Sequence, residues 1–297
     1  MDKKFAIGID IGGTKVAVGL VTPEGQVADT VKVPSDVSDA ESLFACVVEA
    51  VETILKNNHL SIKQIIGIGV GLPGKVNVTN GIAVFQNNIP WEQFPLVERF
   101  RAVFGDLPIK IDNDVKVAAY AEYRLLQLPA DAMFGYITVS TGIAATNIIN
   151  NHILRGSGFA GEIGFMPVRS FGRTSSLEFS CAGPAIARYG QQLYVDESIN
   201  AEKVFDNWRN GDHSATVIVE NTINGLADAI QNMVCLLDPQ VIVLGGSVAI
   251  QNPDFVESIL TVLKTRLHKE QAHILNNIVI SKIEGNNGVI GSAFLVL

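Results

Sequence analysis

The sequence predicts an α/β protein of two domains with a cleft between them, on three observations. At 297 residues and 47% hydrophobic composition, the chain can fill two packed cores rather than one. Its first third alternates short apolar runs with a segment of helical period. A strand, a glycine-containing turn and a second strand occur at the start of the chain and again from about Tyr136, as a duplicated fold would give.

The elements follow in order. Phe5–Ile9 and Val16–Val21 read as strands, and Pro23-Glu24-Gly25 as the turn after them, a hairpin signal. Ser42–Leu55 carries apolar residues at Leu43, Val47, Val48, Val51, Ile54 and Leu55, a helical period stopped by Lys56-Asn57-Asn58. Ile65–Val70 is apolar on both faces, as central strands are. Ile109–Ile111 is a short strand that runs through Asp112-Asn113-Asp114 into an alanine-rich helix, Val115–Leu126. The second half opens with strands Tyr136–Ser140 and Ala145–Ile149 about a Thr141-Gly142 turn, and continues with helix Thr216–Leu237, strand Val241–Leu244 and a closing helix, Gly288–Leu297. No low-complexity linker intervenes. We place the N-terminal domain at 1–117, completed by the returning helix 288–297, and the C-terminal domain at 118–287.

Composition narrows the function. A net charge of −8 gives no broad positive field, so nucleic acid is not an expected partner. No apolar run reaches the ~18 residues of a membrane span, and the short lead into Phe5 leaves no room for a signal peptide. A soluble, cytoplasmic protein is expected. Cys46, Cys181 and Cys235 are odd in number and far apart, which suits a reducing compartment and buried, inert thiols.

Asp10-Ile11-Gly12-Gly13-Thr14-Lys15 lies between two strands. Its glycines allow a sharp turn and a close backbone approach, so that N–H groups can meet phosphate oxygens. No Gly-x-x-x-x-Gly-Lys-Ser/Thr run exists, which excludes a P-loop. Gly69-Val70-Gly71-Leu72-Pro73-Gly74 matches a dinucleotide fingerprint in spacing alone, because Val76-Asn77-Val78 and Thr79-Asn80-Gly81 follow it as strand and turn instead of a helix. Asn113-Asp114 stands at a strand-to-helix turn, where functional groups gather. Phosphoryl transfer to an alcohol needs a carboxylate to take the hydroxyl proton, and Asp114 is the candidate base; the competing reading is an aspartate that caps the helix. Asn113 offers a donor and an acceptor to the hydroxyls of an alcohol acceptor.

Together these motifs resemble the ROK family of sugar kinases over Ile7 to Ala293, in the family's order and spacing. The resemblance implies a two-domain actin-like ATPase fold of ribonuclease-H-like sheets, with Mg²⁺ and ATP as cofactors, a hexose-type sugar as acceptor and a possible homodimer. It implies that Asp10 organises Mg²⁺ through water, that Gly12, Gly13, Thr14 and Lys15, with Thr141 and Gly142, hold phosphates, and that Gly245-Gly246 passes the adenosine. Gly74, in a Gly-x-Pro-Gly loop, Asn88 before Ile89-Pro90-Trp91, Glu162 in Gly161-Glu162-Ile163-Gly164, and Glu178 after Ser176-Leu177 would surround the sugar with Asn113. Two departures stand out. Ser140–Thr146 is bulkier than the family's Gly-Thr-Gly-x-Gly-Gly-Gly run, which keeps a catalytically weak sugar sensor or regulator as the alternative function. The family's zinc-binding histidine is replaced by Phe165 and its cysteines are missing from Ser170–Ser176, so no zinc is expected and Phe165, Phe171 and Phe179 are expected to hold the loop by packing. Repressors of the family carry a winged-helix segment ahead of a core that here begins at Phe5.

Overall fold

The computed structural model describes residues 4–283 and 285–297. The chain divides into two compact units, one made of the residues up to Pro129 with Arg155–Phe159 and those from Ile283, the other of Ala130–Leu154 and Ala160–Lys282.

In the first unit β1 (Phe5–Ile11), β2 (Lys15–Val21) and β3 (Val27–Pro34) form an antiparallel meander, and α1 (Ala40–Asn57) follows. After it come β4 (Ile65–Leu72), the small hairpin β5 (Lys75–Asn77) and β6 (Ile82–Phe85), α2 (Leu96–Phe104), β7 (Ile109–Asn113) and α3 (Asp114–Leu126). The sheet order is β3-β2-β1-β4-β7, with β1, β4 and β7 parallel. Helix α1 begins before the apolar run because Asp39 caps it, accepting from the N–H groups of Glu41 and Ser42 at 2.9 Å.

The two faces of β1 separate by alternation. Ile7, Ile9 and Ile11 join Leu43, Val47, Val51 and Ile54 of α1 in the main core. Ala6, Gly8 and Asp10 share the other face, on which the C-terminal helix, Asn287–Phe294, packs through Val289 and Ala293. The approach is close: a methyl group at Gly8 would stand 1.9 Å from the carbonyl oxygen of Val289, and one at Gly69 of β4 would stand 1.7 Å from that of Ser292. Gly69 and Gly71 thus belong to a strand, and only Pro73-Gly74 remains as the turn of the Gly-x-Pro-Gly segment.

The second unit repeats the plan. Strands β8 (Phe134–Val139), β9 (Ile143–Ile149) and β10 (His152–Ile153) run antiparallel and are followed by the hairpin β11 (Pro167–Ser170) and β12 (Arg173–Ser176). Then come α4 (Leu177–Cys181), α5 (Gly183–Tyr194), α6 (Ala201–Arg209), the 25-residue α7 (His213–Leu237), β13 (Val241–Gly245), α8 (Ser247–Gln251), α9 (Pro253–Arg266) and β14 (Ile278–Ile280). The order β10-β9-β8-β13-β14, with β8, β13 and β14 parallel, matches that of the first sheet. Helix α7 supplies Ile218, Val219, Leu226 and Ile230 to the core over this sheet. Of the three thiols only Cys181 is buried, where loss of water pushes it up to about 12, whereas Cys235 is exposed.

The glycine face makes a stability prediction. Gly69→Ala should lower stability by about 3 kcal/mol or more, since backbone rather than a side-chain tip blocks the added carbon. Gly12→Ala, whose methyl would meet only the Lys15 carbonyl at 3.4 Å, should stay within about 1 kcal/mol of the parent. Equal urea midpoints for the two variants would refute the close-packing argument.

Candidate active site

The carboxyl ends of the parallel strands β1, β4 and β7 bring most of the first unit's candidates to one edge, the usual ligand-binding edge of such sheets. Asp10 is the penultimate residue of β1, and the turn Gly12-Gly13-Thr14 joins it to Lys15 of β2. The turn closes with a bond from the Gly12 N–H to the Lys15 carbonyl at 2.9 Å, and Ser35 pins it by donating its hydroxyl to the Gly12 carbonyl at 2.6 Å. Gly13 is the glycine that sterics require: an added methyl would lie 2.8 Å from the Asn88 carbonyl and 3.3 Å from the Asn88 side chain. Asn88 therefore stands directly against the turn.

Helix α3 is capped by Asn113, not by Asp114. The Asn113 side-chain oxygen accepts from Val115 N–H at 3.1 Å and Lys116 N–H at 3.3 Å, while its Nδ2 donates to the Gly74 carbonyl at 3.1 Å. The Asn113 side chain also hydrogen-bonds the Asp114 carboxyl, which opposes the rise that burial gives it. Gly74 has φ of +77°, and a methyl there would meet the Phe85 carbonyl at 2.3 Å, so the partner of Asn113 must be glycine. Asp114 is the first residue of the helix, and its Oδ1 accepts from Val115 N–H at 2.9 Å. Preceding both, the enclosed Asp112 accepts from Asn113 N–H at 2.9 Å and pairs with Arg155.

Two carboxyls at this edge are largely stripped of water although their side chains are half-buried. Asp10 is pushed up to about 6 by burial and by the Asp114 charge, with Lys15 opposing. Burial likewise raises Asp114, against the Val115 N–H and the Lys116 charge. A carboxyl raised in the folded state stabilises the fold below its unfolded value, and that contribution is lost as pH rises through the folded one. Asp10→Asn should thus stabilise the ligand-free protein at pH 7.5 by about 2 kcal/mol, the shift being discounted for partial exposure. The gain should vanish toward pH 4, and a gain independent of pH in paired urea titrations would show that Asp10 is not destabilised by ionisation.

In the second unit the corresponding edge, at the ends of β8 and β13, gathers the other candidates. The Ser140-Thr141-Gly142 turn closes through Ser140 N–H to the Gly142 carbonyl at 2.9 Å, and the Gly183 N–H at the start of α5 donates to the Ser140 carbonyl at 2.8 Å. Gly245 ends β13 against Tyr136, Gly246 follows it against Val139, and the Ser247 hydroxyl meets that of Ser140 at 3.0 Å. A groove of about 600 Å³ opens beside them, walled by Thr141, Gly183, Ser247 and the α6 residues Phe205 and Arg209. Glu178 braces the turn: its Oε2 accepts from Ile143 N–H at 2.8 Å and lies 2.6 Å from where a methyl on Gly142 would sit. Half-buried Glu162 precedes the short turn Ile163–Phe165, whose Gly164 packs on Ile143 and Glu178. Glu178→Ala should therefore lower stability by about 1–3 kcal/mol, because the Ile143 N–H loses its partner, and an unchanged urea midpoint would contradict the brace.

The aromatic residues meet the packing expectation only in part: Phe171 meets the Tyr189 ring edge-on at 4.6 Å and Arg188 lies 4.0 Å from the centre of the Phe179 ring, but all three stay exposed. Phe165 is 75% exposed, Phe179 58% and Phe171 45%. The hairpin is held by buried Val168 and Leu177, and by Asn221, which accepts from Phe171 N–H at 3.1 Å and donates to the Ser170 hydroxyl at 3.2 Å. Among the described residues no three His, Cys, Asp or Glu side chains gather as a metal site. No helix among them is long and apolar enough to cross a membrane.

Sequence reasoning missed Ser35, Arg155, Ser247 and the α6 wall of the groove, and gave Asp112 no role. Asp112, directly before Asn113, and Ser247, directly after Gly245-Gly246, carried a local signal; the others are joined to the site only by the fold.

These two like sheets, each ending in a tight turn beside parallel strands, define a duplicated mixed α/β protein. The ROK family model matches residues 6–297, and the chain belongs to that family. It is similar to a glucokinase of Halalkalibacterium halodurans, 28% identical over 100% of this chain and 96% of the relative. An N-acetylmannosamine kinase of Escherichia coli is 29% identical over 98% of each chain. The solved ROK family glucokinase of Streptomyces griseus, in complex with glucose and AMPPNP, superimposes with a TM-score of 0.74 at 27% identity over 98% of both chains.

Proposed function

We propose that this chain is an ATP-dependent sugar kinase that transfers the γ-phosphoryl group to a hydroxyl of a hexose-type sugar, with Asp114 as general base. The observation that carries this reading is the arrangement at the carboxyl edge of the first sheet: Asp114 at the head of α3 is raised by burial and its charge raises Asp10, beside the Asn113 amide that caps the helix. A carboxyl that has lost part of its hydration is a better proton acceptor than one in water.

The donor set suits a divalent cation, because two poorly hydrated carboxyls, of which Asp114 raises Asp10, are relieved by positive charge. Asp10 would hold Mg²⁺ through water, and the ion when bound would neutralise charge on the phosphate oxygens. Gly12, Gly13, Thr14 and Lys15 would take phosphate oxygens from the first unit, and Thr141 and Gly142 from the second; the groove beside Gly245 and Gly246 would take the adenosine. Gly74, Asn88, Asn113, Glu162 and Glu178 would position the sugar. In the reaction the sugar hydroxyl gives its proton to Asp114, its oxygen bonds to the γ-phosphorus, the bond to the bridging oxygen breaks, and ADP leaves. Related kinases named for glucose and N-acetylmannosamine make these the first acceptors to try. A cytoplasmic location, a homodimer and the absence of zinc belong to the same reading; near-stoichiometric zinc in dialysed, untagged protein would remove the last.

Coupled measurement of ADP release over a panel of sugars tests the proposal. On the active sugar, Asp114→Asn should reduce kcat by about 10²–10⁴-fold with sugar binding kept. Near-normal turnover by that variant would exclude Asp114 as base, and sugar binding without ADP release by the parent would favour a sensor.

A further inference from the structure

Asp112, at 2% exposure, is the most enclosed of the charged side chains among the described residues. A carboxylate so enclosed is strongly destabilising unless both oxygens are engaged. One oxygen accepts from the backbone N–H of Asn113 at 2.9 Å; the other accepts from Nη2 of Arg155, 43 positions further on. Arg155 is the first residue of the short excursion, Arg155–Phe159, by which the chain returns to the first unit between two stretches of the second. That excursion is fastened again at its far end, where the Lys75 amine lies 5.7 Å from the centre of the Phe159 ring. Between the two ends the Gly158 N–H donates to the Arg155 carbonyl at 2.8 Å, which makes the segment a tight turn.

An ion pair in this position is a poor device for stability alone, since apolar packing of similar volume serves as well or better. What it adds is direction. Asp112 holds the backbone of Asn113; the Asn113 side chain starts α3 and reaches Gly74; and the first residue of that helix is Asp114. We propose that Arg155 is a positioning residue for phosphoryl transfer: through Asp112 it fixes the Asn113–Asp114 turn and so aims the base at the acceptor hydroxyl. The proposal rests on the reading of Asp114 as the base.

Steady-state kinetics of the full chain with Mg²⁺-ATP and the sugar found active in the panel test it, with rates corrected for the folded fraction from urea unfolding. Arg155→Ala should lower kcat roughly 30–100-fold, the scale of loss from a small misplacement of a catalytic group, with KM for sugar and ATP each within about threefold. Arg155→Lys should recover most of the loss by restoring the charge. Asp112→Asn should lose about as much as Arg155→Ala, and the double variant no more than either alone, as for residues acting in series. A purely structural role predicts lower stability with an unchanged kcat per folded molecule, and that result would overturn the proposal. If Arg155→Ala does not fold, Asp112→Asn decides, and a kcat within about threefold of the parent overturns the proposal by itself. Asp114→Asn measured alongside separates the two ideas. An inactive Asp114→Asn with an unaffected Arg155→Ala removes the positioning role alone, whereas an active Asp114→Asn removes both.

Discussion

The contact on which the first unit depends is the backbone-to-backbone packing of the C-terminal helix on β1 and β4. Gly8 and Gly69 have no room for even a methyl group against the Val289 and Ser292 carbonyls, so the helix sits lower on the sheet than ordinary side chains would permit. Asp10 lies on the same face of β1, two residues beyond Gly8, and its carboxyl reaches the first turn of that helix, within 2.4–2.8 Å of where a methyl on Gly288 would be. Helix α3 closes in on the same terms, as Gly291 allows no side chain against the Val117 carbonyl at 1.7 Å. A bulkier residue at any of these glycines would lift a helix and with it the surroundings of Asp10 or Asp114.

Close packing removes water, and removal of water sets the electrostatics. Asp10 and Asp114 come from different elements, yet each is raised mainly by loss of hydration, and the charge of Asp114 adds to the shift of Asp10. Lys15 and Lys116 offset part of this. The ligand-free edge is therefore electrostatically unfavourable at neutral pH in a way that a bound cation would relieve. On the proposed reading activity and instability share one cause: stripped carboxyls that would suit proton transfer and cation binding work against the ligand-free fold.

Much of this was legible in the sequence where the signal is local. The hairpin with its Asp10–Lys15 turn, the strand-to-helix junction at Asn113-Asp114, and the repetition of the strand-turn-strand unit all follow from glycine placement and from periodicity over short windows. The capping role fell on Asn113 rather than on Asp114, because both residues cap well and only the backbone path decides which of them stands outside the helix. The sequence resemblance put Glu178 among the sugar-site candidates, but gave no sign that it braces the Gly142 turn by accepting from Ile143 N–H, 35 residues away. Asp112 with Arg155, and Ser35 with Gly12, are pairs made by topology, with no spacing rule to announce them. Phe165 misled for a related reason: apolar character predicts burial only when a surface is available to receive the side chain, and Phe165 stays 75% exposed.

The account stands or falls on whether the carboxyl edge of the first sheet holds acids stripped of water and coupled to one another. Carbon-detected NMR titration of the aspartate carboxyls in the ligand-free protein reads this directly. Asp10 should titrate near 6 and move down when Asp114 is replaced by asparagine, since a neighbouring negative charge is lost. An Asp10 carboxyl that titrates in the ordinary range near 4, unmoved by Asp114→Asn, would contradict the account.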